Sequence, residues 1–413
     1  MPRVSANLLI LVSWVLVPKA GFIRLLLLLL LTSAGQGATV LVLQFHNDSQ
    51  HTDLNWVGES IAETLRVEFS ANNQIVLSRD SRAEGLRRLG LRPDAQFTKA
   101  TLIKLGQSLD VDFVCDGSYD ATLPAGDTEL RNSSLQITAR FIDLRKVRDG
   151  PELSEAGKLA DLSRLQEHLA WQSLKFLEPG ANLPAEQFMT DKKFIRVDAQ
   201  ESYVRGLLSS RGDQQKKWFT QANIIDPRFV GPIFELGRLA YEQKDFRQAV
   251  VWFGRVPASD SRYTDARFRM GLSAYNAGDY TGAANYFREV AKTVPLNEVY
   301  NNLGAAEEQM GLSSAVIDLH KAAEGDPNDM VYRFNLGIAL LRANSFDEAA
   351  SMLQAVVDHD ADDTQARALL DRARRRESNP SNARPLAPPR LKQNFDEIAY
   401  RQLKAMLQPK GSA

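Results

Sequence analysis

The stretch Arg267–Pro295, RFRMGLSAYNAGDYTGAANYFREVAKTVP, decides the fold of this 413-residue chain. Apolar and small residues recur in it with helical spacing on both sides of a turn signal, Gly278-Asp279, and a proline closes the second run. The stretch therefore predicts two antiparallel helices. Gly271 and Ala283 stand where two closely packed helices leave no room for a larger side chain.

The same pattern recurs every 33 or 34 residues between about Phe229 and Asp360. In each unit Leu or Met precedes a glycine, an alanine follows 11 or 12 residues later, and a large apolar residue follows the alanine by four. The glycines are Gly237, Gly271, Gly304 and Gly337, and the alanines are Ala249, Ala283, Ala315 and Ala349. Such a period predicts a solenoid, in which each unit buries its apolar face against its neighbours.

These units resemble tetratricopeptide repeats from about Gln200 to Asp360. A weaker first unit contains Gly206 and Trp218-Phe219, and Thr364–Glu377 has the pattern of a polar capping helix. The resemblance implies an all-α solenoid that binds a protein or a peptide and catalyses nothing.

In that family the first helix of each pair lines a concave face that holds the ligand. Several residues on these helices are not required by packing, and we expect them to bind a protein or peptide: Arg238, Tyr241, Arg269, Tyr275, Asn302, Gln309, Asn335 and Arg342. Asn302 and Asn335 stand directly before Leu-Gly, where family members that clamp a peptide carboxylate have Asn. Arg offers forked donors to a carboxylate, and the Asn amide can hold an extended backbone.

A different domain is predicted ahead of the repeats, over residues 39–177. Its strands are predicted at Thr39–Phe45, Gln74–Ser78, Asp112–Leu123, Ser134–Leu144 and near Glu152–Leu159, and its helices at Asp53–Phe69, Lys99–Leu109 and Leu162–Leu177. This order predicts a small mixed α/β sheet with helices on one face.

Four pieces of this domain resemble the amino-terminal domain of TolB and the TolB-like domains found ahead of bacterial tetratricopeptide arrays. They are VLVLQFHNDSQHTDLNWVGESIAETLRVEFS, IVLSRDS, LGQSLDVDFVCDGSYDA and LQITARFIDL. The resemblance implies protein contacts in the cell envelope and no catalytic residues.

The segment His46–Asp53 leaves a second function open, because two His and two Asp within eight residues could bind a metal for an envelope enzyme. In the other interpretation Asn47, Asp48 and Ser49 form a polar turn and Thr52 or Asp53 caps the next helix. A third possibility is a sensory or regulatory module. The chain has no glycine-rich phosphate loop, nucleophile elbow or His-Glu-x-x-His motif, so we assign no catalytic, cofactor-binding or metal-binding residue.

Composition narrows the possible partners. The 50 basic and 51 acidic residues give a net charge of −1, which argues against nucleic acid as the main partner. The single cysteine, Cys115, excludes an intramolecular disulfide framework, and its apolar surroundings predict a buried inert thiol.

The amino terminus has the order of a secretory signal: Lys19 and Arg24, then the apolar run Leu25–Leu31, then small residues up to Ala38. We therefore expect an exported, periplasmic protein. The alternative is an uncleaved leader that anchors the chain in the inner membrane, facing the periplasm, and this is the one membrane contact we expect.

The sequence thus divides into six predicted parts: a leader (1–38), the TolB-like domain (39–177), a linker (178–198), the repeat array with its capping helix (199–377), a Pro-rich linker (378–390) and an amphipathic helix with a tail (391–413). The last helix has its apolar residues at Phe395, Ile398, Ala399, Leu403, Met406 and Leu407. It either folds back on the same chain or docks on another protein as a helix in a groove.

Overall fold

The computed structural model describes residues 37–180, 183–190, 192–210, 212–377, 387–396, 399–400 and 403. Residues 1–36 of the predicted leader and residues 378–386 of the predicted Pro-rich linker lie outside the described residues. None of the helices formed by the described residues has the length and apolar character needed to cross a membrane.

An α/β domain forms the amino-terminal part. Its elements are β1 (Thr39–Val42), β2 (His46–Asn47), α1 (Trp56–Ala71), β3 (Ile75–Val76), α2 (Arg79–Arg88), α3 (Lys99–Ser108), β4 (Phe113–Thr122), β5 (Ser134–Asp143), β6 (Arg148–Lys158) and α4 (Leu162–Leu177). The strand order is β3-β1-β4-β5-β6, and β2 pairs with β4 beyond the end of β1. The pairs around β1 are parallel and the β4-β5-β6 meander is antiparallel, so the predicted mixed sheet is present.

The expectation that helices cover one face of the sheet was wrong. Val40 and Val42 of β1 face the core that includes α1 and α4, whereas Leu41 and Leu43 face a second core that includes α2 and α3. Successive strand residues point to opposite faces, so a continuous apolar run such as this one requires cover on both. The helix α2 was not predicted, since its sequence is dominated by charged residues.

The rest of the described chain is mostly helical. Its helices are α5 (Ala185–Thr190), α6 (Val197–Leu208), α7 (Gly212–Ile225), α8 (Val230–Glu242), α9 (Phe246–Phe253), α10 (Tyr263–Asn276), α11 (Tyr280–Ala291), α12 (Asn297–Gln309), α13 (Ser314–Gly325), α14 (Met330–Arg342), α15 (Phe346–His359) and α16 (Thr364–Arg374). From α6 onward they pack as consecutive pairs, and α16 follows the last pair and buries Leu369 and Leu370 against it.

The repeated glycines lie where the two helices of a pair touch. A Cβ on Gly237 would lie 2.8 Å from Phe253, and one on Gly271 would lie 2.6 Å from Phe287. Gly206 of the weaker first unit has the same relation to Phe219, at 2.4 Å. The role that the spacing predicted for these small residues is therefore confirmed.

Two segments predicted as linkers contain ordered contacts. Residues 178–198 include α5, whose Phe188 is buried in the same core as α1 and α4. Ala387, in the predicted 378–390 linker, is buried against the last repeats. The predicted helix over 391–407 also differs in its first part, because residues 391–396 are not helical, whereas Ala399, Tyr400 and Leu403 are. Its predicted apolar residues Ile398, Met406 and Leu407 lie outside the described residues.

Candidate peptide-binding face

The first helices of four successive pairs, α8, α10, α12 and α14, form one continuous surface, which we call the first-helix face. Residues 387–396, the tail segment, lie along it in a non-helical conformation. Arg390 contacts α14 and Gln393 contacts α8, so the chain from Arg390 to Gln393 runs opposite to the order of the repeats, after which Phe395 contacts α10.

Two asparagines hold the main chain of the tail segment at alternate residues. The Asn335 amide donates to the Arg390 carbonyl at 2.7 Å, and its oxygen accepts from the Arg390 N–H at 2.8 Å. Asn302 does the same for Lys392, with both distances 2.8 Å. Each side chain thus satisfies the donor and acceptor of one residue, as a neighbouring strand would. The two asparagines are 33 residues apart, so one repeat of the array matches two residues of an extended chain.

A third asparagine completes this network. Asn301 donates to the Arg390 carbonyl at 3.0 Å and accepts from Asn335 at 2.8 Å. All three asparagine side chains are inaccessible to solvent with the tail segment in place. A buried amide without a partner costs about 1–3 kcal/mol, so this part of the face favours an occupant that supplies backbone polar groups.

Two aspartates bind the cationic side chains of the tail segment. Asp363 is the N-cap of α16: its Oδ1 accepts from the Ala366 N–H at 3.0 Å, and its Oδ2 lies 2.6 Å from the Arg390 guanidinium. Asp329 is the N-cap of α14 and divides its oxygens in the same way between the Val331 N–H and the Lys392 ammonium. Capping uses one carboxylate oxygen and leaves the other free for a cation.

Aromatic rings complete each of these contacts. The Arg390 guanidinium stands 3.6 Å from the centre of the Phe334 ring, and the Lys392 ammonium stands 4.9 Å from that of Tyr332. Further along the tail segment, the centres of the Phe395 and Phe268 rings lie 4.4 Å apart. Each cation is thus held by an acid and by the face of a ring, which attracts positive charge.

The electrostatics of Asp363 agree with this arrangement. Burial opposes ionisation of its carboxyl, but hydrogen bonds from the Ala366 N–H and from Arg390 outweigh burial and hold its pKa below the usual value. The carboxylate is therefore charged at neutral pH.

Three of the residues predicted to bind a ligand contact the tail segment. They are Asn302, Asn335 and Tyr241, whose hydroxyl donates to the Gln393 side chain at 2.8 Å. The predicted arginines instead pair with acids of the array. Arg269 lies 3.2 Å from Asp265 and Arg342 lies 2.8 Å from the buried Glu308.

The remaining predicted residues have local partners. Arg238 pairs with Glu235 at 2.7 Å and also with Glu242. Tyr275 packs edge-on against Tyr280, and burial raises the pKa of Tyr275, an effect that the neighbouring Gln309 amide opposes. The proposed match between an arginine and a ligand carboxylate has no counterpart among the described contacts of the tail segment.

Sequence reasoning missed Asn301, Asp329 and Asp363. One signal was present: Asp329 and Asp363 are 34 residues apart, one repeat, and each directly precedes a first helix or the capping helix. The corresponding position before α12 is Leu296, so the cation contacts are confined to the last part of the array.

The loop that suggested a metal site forms a polar turn. The Asn47 side-chain oxygen accepts from the Ser49 N–H at 3.0 Å, and His46 lies 3.8 Å from Asp48. No three metal-binding side chains converge anywhere in the described parts of the chain, this loop included. The prediction that Thr52 or Asp53 caps the next helix was wrong, since a 3₁₀ turn occupies residues 52–54 and α1 begins later.

Comparison with known protein families identifies part of the helical array. Models of the tetratricopeptide repeat family match residues 265–297 and 313–373. None of the curated protein sequences matches the chain.

Several solved structures are similar to part of the chain. YrrB, a TPR protein with an unusual peptide-binding site, is 17% identical, and the match covers 43% of this chain and 92% of YrrB with a TM-score of 0.38. MamA from Desulfovibrio magneticus is 19% identical over 40% of this chain and 96% of its own, with a TM-score of 0.36. The pilF protein of Pseudomonas aeruginosa is 18% identical over 43% and 83%, with a TM-score of 0.36. The two family matches, together with helix pairs closed by a recurring glycine, show that this chain contains tetratricopeptide repeats.

Proposed function

We propose that this protein is a non-enzymatic adaptor that binds an extended segment of another protein on its first-helix face. The proposal depends on one observation: the Asn335 and Asn302 side chains each hydrogen-bond the main-chain N–H and C=O of one residue, Arg390 and Lys392 respectively. Main-chain contacts of this kind give affinity for any extended segment, whereas neighbouring side-chain contacts select among segments. The TolB-like amino-terminal domain supplies, in this proposal, contacts within the cell envelope.

The test uses the full-length chain and a synthetic peptide of residues 386–400, LAPPRLKQNFDEIAY. The tail segment must first be displaced, so the host carries R390E and K392E and is called the open variant. We expect the labelled peptide to bind the open variant. Adding Asn302→Ala and Asn335→Ala should weaken binding by about tenfold or more, because each change removes two hydrogen bonds of about 1 kcal/mol.

The matched control is Asn285→Ala in the open variant, since Asn285 is an exposed asparagine on the second helix of a pair. It should leave affinity unchanged, and thermal unfolding of each variant checks that the array stays folded. Binding that survives the Asn302 and Asn335 changes would move the binding surface away from this face.

We further propose that the chain is exported and that its leader is removed. The order of charged, apolar and small residues between Lys19 and Ala38 supports this, and β1 begins just after them, at Thr39. Mass spectrometry of protein from a bacterial periplasm should find a first residue between about Gly35 and Thr39. An intact amino terminus in the membrane fraction would favour an anchored protein instead.

A further inference from the structure

The tail segment occupies the surface to which we assign partner binding. This surface contacts the side chains of the tail segment as well as its main chain. Arg390 and Lys392 each contact an N-cap aspartate and an aromatic ring, and the Phe395 ring packs in a tilted geometry against Phe268. These contacts therefore match a sequence pattern in the occupant: a basic residue, a second basic residue two positions later, and an aromatic residue three positions after that.

The charged groups of the first-helix face favour this basic pattern over an acidic ligand. Three arginines of these first helices, Arg238, Arg269 and Arg342, are paired with acids of the array. The carboxylate oxygens of Asp329 and Asp363 that cap no helix are directed to the tail cations. Because the arginines are paired and the aspartates each have an oxygen that caps no helix, the part of the face that the tail segment covers prefers positively charged side chains.

The occupant is also covalently attached. Nine residues separate Glu377, which follows α16, from Ala387, where the described tail segment begins. A tethered ligand acts at an effective concentration on the order of millimolar, so a partner in solution competes against it.

We propose that the tail segment is a built-in competitor that closes the first-helix face, and that the partner displaces it with an extended segment of the same chemistry. That segment carries basic side chains at two positions two residues apart and an aromatic residue three positions further on. This inference rests on the proposed function and adds to it the class of partner and the regulation of the site.

Closure is tested by comparing the wild-type chain with the open variant, using the peptide of residues 386–400 as probe. The open variant should bind the probe about tenfold or more tightly than the wild type, because its own tail no longer competes. Equal affinities would overturn the closure. A wild-type chain that elutes as a dimer and becomes monomeric as the open variant would also overturn it, since the tail would then fill the face of a second copy.

Selection is tested on the open variant with two altered probes. A probe carrying R390E and K392E should bind at least about tenfold more weakly than the native probe, and one carrying Phe395→Ala should also bind more weakly. Raising the salt concentration should reduce the preference for the cationic probe. Equal binding of the native and charge-reversed probes would overturn the assigned partner class.

The aspartates are tested by changing Asp329 and Asp363 to Asn in the open variant. Asn keeps the oxygen that caps each helix and removes the negative charge, so the fold is preserved. The preference for the native probe over the charge-reversed probe should disappear, and a preference that persists would contradict the assigned subsites. If these tests fail while Asn302→Ala with Asn335→Ala still weakens binding, the adaptor function stands and only the cationic selection is lost.

Discussion

A Cβ placed on Gly271 would lie 2.6 Å from Phe287, closer than two carbon atoms approach without one of them moving. Phe287 is itself fully buried and packs edge-on against Phe268. The ring therefore has no space into which it could retreat. This single contact explains why a glycine recurs at the same place in each repeat.

Gly271→Leu should destabilise the protein by about 1–3 kcal/mol or more, because the added side chain overpacks the contact between α10 and α11. The midpoint of denaturant unfolding measures the effect. Lys292→Ala is the control, since Lys292 is exposed and its loss should cost less than about 0.5 kcal/mol. Equal shifts in the two variants would contradict the glycine contact.

The sequence pattern singled out some of these individual residues and not others. Gly271 was predictable because packing repeats at a fixed spacing, and Asn302 and Asn335 were singled out because each directly precedes the Leu-Gly pair of its own repeat. The contacts of Asp329 and Asp363 with the tail segment were not predicted. A helix N-cap fully accounts for an aspartate at that position, and nothing in the local pattern shows that its second oxygen is directed to Arg390 or Lys392.

Among the elements, the tail segment departs most from its predicted form. The apolar spacing from Phe395 onward favours a helix, but the preceding residues Pro388 and Pro389 favour an extended chain. The extended form also leaves the N–H and C=O groups of Arg390 and Lys392 free to bind asparagine, which a helix would not. Fold-back on the same chain was one of the two destinations left open by the sequence. The structure has that fold-back contact, with residues 391–396 non-helical and with helix at Ala399, Tyr400 and Leu403.

A second element, the segment around α5, is attached to the α/β domain by charge. The Lys192 ammonium lies 3.0 Å from Glu167 of α4 and also contacts Glu68 of α1. Burial, and next the neighbouring Glu68 carboxylate, raise the pKa of Glu167 to about 7, and Lys192 opposes this only in part. These groups line a cavity of about 930 Å³ between the α/β domain and the first repeats.

This raised pKa predicts a pH dependence of stability. The folded state binds the Glu167 proton more tightly than the unfolded state, so the contribution is fully present below about pH 4.5 and is lost as the pH rises through about 7. Between pH 5 and pH 8 the wild type should lose about 1–3 kcal/mol relative to Glu167→Gln, which does not titrate. Denaturant midpoints at each pH measure this difference. The exposed Glu178, changed to Gln, should follow the wild type; a Glu167→Gln protein that did so too would show that Glu167 is not responsible.

At the scale of the whole molecule, the α/β domain and the first repeats share one hydrophobic core. Phe219 of α7 and Leu236 of α8 belong to the same cluster as Phe69 and Leu165 of the α/β domain. The Tyr203 hydroxyl also donates to Glu63 of α1 at 3.3 Å. Sequence patterns treat these parts separately, because a repeat period and a strand pattern each describe only their own segment. The resemblance to TolB stays a prediction.

This shared core predicts unequal effects of two equally buried residues. Phe219→Ala should cost about 3–5 kcal/mol and should increase amide hydrogen exchange in β1 and β4, because the cavity opens in a core that the sheet helps to form. Leu353→Ala, in the last helix pair, should cost about 2–5 kcal/mol, with faster exchange confined to α14, α15 and α16. Both side chains are fully buried, so burial cannot explain a difference between them. If Leu353→Ala loosened the sheet as much as Phe219→Ala does, the array and the α/β domain would unfold together along their whole length. If Phe219→Ala left the sheet unchanged, the shared core would contribute nothing to its stability.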